Sequence, residues 1–127
     1  MKAITDFSVL PLGKEGHETC RSDLYWLGEK VRTAVQGIQV EAQYSFDQGY
    51  LLFLSEACPY EEKLSIYLLD FDFGIRDTAD LGQSYTPGVL QDVEVCGALE
   101  LSFSFFGGDR WGLRVGERMK LDLRRLS

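Results

Sequence analysis

The stretch Tyr50 to Asp72, YLLFLSEACPYEEKLSIYLLDFD, decides how the rest of the chain is read. Its first five residues, Tyr50-Leu51-Leu52-Phe53-Leu54, are continuously apolar. A run this short between turn signals reads as a strand covered on both faces. The second half alternates instead. Leu64, Ile66 and Leu68 share one phase, and Leu69, Phe71 and Phe73 continue on the other. The slip predicts a bulge or a turn near Leu69-Asp70. Between the halves lies a polar knot, Ser55 to Lys63, with Cys58 beside Pro59, Tyr60, Glu56, Glu61 and Glu62. It reads as a hairpin loop kinked by its proline.

Outward from this stretch the period-two pattern continues. Ile38, Val40, Ala42, Tyr44 and Phe46 alternate with Gln39, Glu41, Gln43 and Ser45. Leu99, Leu101, Phe103 and Phe105 alternate with Glu100, Ser102 and Ser104. Trp111, Leu113 and Val115, then Met119, Leu121 and Leu123, repeat the pattern. One apolar and one wet face per strand is the mark of an antiparallel sheet with a solvated side. Short turn signals separate the runs: Gln36-Gly37, Asp47-Gln48-Gly49, Gly107-Gly108-Asp109 and Gly116-Glu117. Gln36-Gly37 predicts a two-residue hairpin joining Val31-Thr33-Val35 to the run from Ile38. Ser22 to Gly28 fits a single helical turn or a short strand. Nine or ten strands joined by tight turns predict an all-β, single-domain antiparallel meander over 1–127. It would close as a barrel or pack as a two-sheet sandwich, with at most one short helical turn.

The composition supports a folded core. Of 127 residues 45% are hydrophobic, with eight Phe, six Tyr and two Trp, so disorder is not expected. No Asn occurs, so no N-glycosylation sequon exists and turns rely on Gly, Asp and Pro. The net charge is −7 and unevenly spread. Residues 110–127 carry +4 through Arg110, Arg114, Arg118, Lys120, Arg124 and Arg125 against Glu117 and Asp122, and residues 1–109 carry −11. So acidic a body repels phosphate backbones and anionic lipid, and speeds encounter with a basic partner. The expectation is no nucleic acid and no membrane, and for the basic tail a solvated strand face or pairing with the acidic body. The first residues, Met-Lys-Ala-Ile-Thr-Asp, hold no signal-peptide core, and the odd count of cysteines (Cys20, Cys58, Cys96) cannot pair completely within one chain. A cytoplasmic protein with reduced thiols is expected.

The residues able to do chemistry are sparse. His17 is the only histidine, with Cys20 three residues on but no metal-ligand spacing around either. Cys58 sits among carboxylates, which raise a thiol pKa, so it is read as an inert thiol. Cys96, after Val93 and Val95, reads as a small core residue. Asp72-Phe73-Gly74 matches the metal-binding tripeptide of protein kinases, but the other kinase motifs are missing. Asp70-x-Asp72, with Asp77 and Asp80, lacks the glycine and closing Glu of a helical calcium loop. No cofactor is implied. The expected function is a non-enzymatic protein-binding module of the inhibitor or immunity-protein kind. It would meet a basic partner through Glu56, Tyr60, Glu61, Glu62, Asp70, Asp72, Asp77 and Asp80, with Tyr85 as a further loop anchor. A β-barrel carrier of a small apolar ligand is the alternative, and an enzyme with an unrecognised site is a second.

Overall fold

A computed structural model describes residues 1–12, 21–56, 63–82, 88–105 and 109–126. The described chain is all-β, as the alternation predicts. Its twelve strands are β1 (Lys2–Ala3), β2 (Phe7–Pro11), β3 (Arg21–Trp26), β4 (Glu29–Gln36), β5 (Gln39–Phe46) and β6 (Gly49–Ser55), followed by β7 (Lys63–Leu69), β8 (Ile75–Gly82), β9 (Gln91–Gly97), β10 (Glu100–Phe105), β11 (Asp109–Gly116) and β12 (Lys120–Arg125). Ser22 to Gly28 takes the strand option, as most of β3 and the turn after it.

The strands form three antiparallel sheets, and no barrel closes. Each sheet is itself a meander: β2-β3-β4, β5-β6-β7-β8 with β1 added beside β5, and β9-β10-β11-β12. The five-stranded sheet is the middle layer. Leu51, Phe53, Leu64, Ile66 and Leu68 point from one face into a core shared with Leu101, Phe103, Phe105, Leu113 and Val115. From the opposite face Leu52, Leu54 and Leu69 meet Phe7, Leu24 and Val35. The continuous apolar run in β6 is thus explained, because both of its faces are covered. The phase slip after Leu68 is also real. The register shifts between Leu68 and Leu69, and the chain then turns through Asp70 to Gly74.

Two expectations are corrected. Gln36-Gly37 is not a hairpin, because β4 and β5 belong to different sheets. Gly37 has a φ of 123°, and a Cβ there would stand 2.7 Å from the Leu54 Cβ. Its carbonyl accepts the buried Ser22 Oγ–H at 2.6 Å, and the Ile38 N–H donates to the Ser55 carbonyl at 2.9 Å. The peptide groups that would close a hairpin bond other strands, so the chain passes from one layer to the next. Cys96 is not a core residue. It is exposed on β9, an outermost strand whose register shifts twice against β10.

A third departure concerns β5. The register shifts between Val40 and Ala42, so Val40 packs into one core while Ala42, Tyr44 and Phe46 pack into the other. One extra residue on a strand reverses the side-chain phase beyond it. Side chains also tie the layers together. The Gln43 amide accepts the Phe7 N–H at 2.8 Å and donates to the Phe7 carbonyl at 3.0 Å. The Gln36 N–H donates to the Tyr67 hydroxyl at 2.7 Å, and Thr33 Oγ1 donates to the Phe73 carbonyl. At the other interface the Leu121 N–H donates to the Asp77 carboxylate at 2.8 Å, linking β12 to β8.

Candidate functional site

Three turns share one end of the molecule: Leu27-Gly28 between β3 and β4, Asp47-Gln48 between β5 and β6, and Asp70 to Gly74 between β7 and β8. Under them lies a cluster of rings. Phe7 sits 4.6 Å from Trp26 and 5.0 Å from Tyr50, and Trp26 sits 4.9 Å from Tyr50. Phe73 stacks on Tyr50 at 5.8 Å, and Phe71 meets the Tyr50 ring edge-on at 5.5 Å. Phe7 is buried, Trp26, Tyr50 and Phe73 are half-buried, and Phe71 is exposed. Burial pushes the Tyr50 phenol pKa above its ordinary value, and the nearby Asp6 carboxylate raises it further.

The turn carrying Phe71 is held by Asp70. Its Oδ1 accepts the Asp72 and Gly74 N–H groups, each at 2.9 Å, and the Phe73 N–H donates to the Asp70 carbonyl at 3.0 Å. Phe73 takes a left-handed backbone, φ 66°, to bring its ring under the turn. The Leu27-Gly28 turn has positive φ at both residues, 51° and 84°. This is the primed turn that suits the twist of a hairpin, and it ordinarily carries Asn-Gly or Asp-Gly.

The acidic residues expected to form one binding face are distributed. Asp70 and Asp72 lie together at the aromatic end, with the Arg76 guanidinium 3.9 Å from Asp70. Asp77 and Asp80 lie on β8 opposite Leu68 and Ser65, and so on opposite faces of the sheet. Asp77 holds the β12 backbone, and Asp80 lies 3.9 Å from the Lys63 ammonium. Glu56 follows β6 at the end remote from Asp70. Tyr60, Glu61, Glu62 and Tyr85 fall outside the described residues, as do His17, Cys20 and Cys58.

The basic C-terminal strands pair with carboxylates: Arg110 and Arg125 with the acidic body, as expected, and Arg114 and Arg124 with Asp122 of the tail itself. Arg114 and Arg124 both face Asp122, at 3.8 and 2.9 Å, and Arg125 faces Asp109 at 2.9 Å. The hydrogen bond from Arg124, with the charges of Arg124 and Arg114, holds the Asp122 carboxyl below its ordinary pKa. Arg110 donates to Ser102, Ser104 and the Asp92 carbonyl, and lies 3.6 Å from Glu94. A surface concavity of about 260 Å³ lies over Gly112 between Arg114, Asp122 and Leu126, and another of about 280 Å³ runs beside β1 and β5. The barrel interior that an apolar-ligand carrier would need is not formed.

Among the described residues no group of three or more His, Cys, Asp or Glu side chains is arranged to hold a metal ion. No helix among them is long and apolar enough to cross a membrane. No family model, curated protein or solved structure matches the chain. The aromatic end is what sequence reasoning missed. Two local signals point to it: a leucine before glycine at a hairpin tip, and a phenylalanine between two aspartates in a turn.

Proposed function

We propose that this chain is a non-enzymatic protein-binding module that meets a basic partner. The carrying observation is how its own cations are placed. Seven of the described cations, Lys30, Lys63, Arg76, Arg110, Arg114, Arg124 and Arg125, lie within ion-pair distance of a carboxylate of the same chain. With the net charge at −7, the surplus is carboxylate, and Asp47 and Asp72 present it on exposed turns. A surface of this kind attracts a cationic protein over several ångströms and raises its association rate.

The test is capture of the partner from the source cell, followed by its association kinetics at low and physiological salt. A basic partner whose association slows steeply as salt rises supports the reading. Recovery of acidic partners alone, or of none, refutes it.

A further inference from the structure

We propose that the aromatic end, through Leu27 and Phe71, docks an apolar segment of a partner protein that carries lysine or arginine beside its apolar residues. The proposal rests on the basic-partner reading and names its site.

Exposed apolar side chains concentrate here. Leu27 is 65% exposed, Phe71 53%, and Ile75, which follows the Asp70 to Gly74 turn, 45%. Single exposed leucines are ordinary, but several grouped at adjoining turns over a packed aromatic base mark a binding surface. The base is rigid, because Phe7, Trp26, Tyr50 and Phe73 contact one another ring to ring. A rigid aromatic anchor loses little conformational entropy on binding.

The backbone supplies a second argument. Leu27 occupies the left-handed region at φ 51°, where its Cβ is crowded and where Asn or Gly would serve the hairpin better. Neither turn geometry nor solubility favours leucine at this tip. Arg118 and Met119 share this backbone at the turn between β11 and β12, but Arg118 is charged and Met119 is buried; Leu27 alone of the three holds an apolar side chain in water, which points to a role outside the fold.

Charge selects the occupant. Asp6 acts on Tyr50, and Asp47, Asp70 and Asp72 lie in the turns at this end, with Arg76 as the cation against Asp70. An ammonium or guanidinium placed here gains both the carboxylates and the half-exposed Trp26 and Tyr50 rings. An anionic membrane surface would be repelled by the same carboxylates, so the apolar tips are matched to a protein segment.

The experiment uses the isotope-labelled full chain and two short synthetic peptides with identical leucine and phenylalanine positions. One peptide has lysine at the intervening positions, and the other has glutamate. The expected result is saturable shifts at the Trp26 indole and around Leu27 and Phe71 with the lysine peptide only. Binding should weaken about tenfold in Leu27→Asn and further in Phe71→Ser, the loss typical of an interface anchor. Both side chains stand largely in water, so both variants keep the fold, which the unchanged remainder of the spectrum verifies. A lysine peptide that binds elsewhere, indifferent to both substitutions, overturns the site while leaving the basic-partner reading intact. No saturation by about 1 mM peptide, the weakest useful affinity, overturns the docking proposal, and the capture experiment then judges the broader reading separately.

Discussion

Leu27→Asn should make the protein more stable, although it removes an apolar side chain. At φ 51° Leu27 lies in the region where an L-residue's Cβ crowds the following carbonyl. Asn tolerates that region several-fold better than most residues, and Asn-Gly is the favoured pair for this turn. A several-fold preference corresponds to about 0.5–1 kcal/mol of relief. The opposing loss is small. Leu27 is 65% exposed, and a denatured chain already shelters roughly 10–40% of such a side chain. The net expectation is about 0.5–1 kcal/mol of added stability, or about 2–4 °C in Tm for a chain of this size. Urea unfolding followed by tryptophan fluorescence measures it, with Trp26 and Trp111 reporting from the two cores. The midpoint should rise with an unchanged slope. Leu27→Ala is the control, since it removes the side chain but keeps the Cβ, and it should be nearly neutral. If Leu27→Asn and Leu27→Ala both cost more than about 1 kcal/mol, the leucine is holding the fold together. The argument that it serves a partner would then be wrong.

Other consequences follow from the packing. Gly49→Ala should destabilise by about 3 kcal/mol or more, because a Cβ there would lie 1.9 Å from the Leu69 carbonyl oxygen in the middle sheet; a loss below about 1 kcal/mol by urea unfolding would mean that the two strands can separate. Phe103→Ala should cost about 3–5 kcal/mol, since Phe103 is fully buried against Phe53 between two sheets. A near-neutral result in the same assay would show the strand phase to be misassigned. The Asp122 carboxyl, held down by Arg124 and Arg114, should titrate below 3.8 when followed by carboxyl chemical shift. Because its folded pKa is depressed, its contribution is present above the unfolded value and lost as pH falls through the folded one. Arg124→Ala should move the midpoint up towards 3.8, and an unmoved midpoint would show that the ion pair does not persist in solution.

The candidate site is only partly legible in the sequence. Charge marks Asp70 and Asp72 in the sequence, and both stand at the aromatic end. Asp77 and Asp80 are near them in sequence, but residues three apart on a strand face opposite sides of the sheet. Phe7, Trp26 and Tyr50 lie on three strands of two sheets, so no local spacing could have joined them.

The all-β character, the doubly covered strand Tyr50 to Leu54 and the break after Leu68 are all legible in the side-chain pattern. Each of these follows from side-chain alternation along one strand, which is a local property. Which sheet each strand joins is set by pairing between residues far apart in the chain. Alternation reveals that a strand has an apolar face but not which partner covers it. The crossing at Gly37 rests on contacts with Leu54, Ser55 and Ser22, and the phase reversal in β5 on a bulge against β6. The same long-range pairing stacked three meanders instead of closing a barrel, and it brought the turn after Trp26 and the turn carrying Phe71 to the same ring, Tyr50.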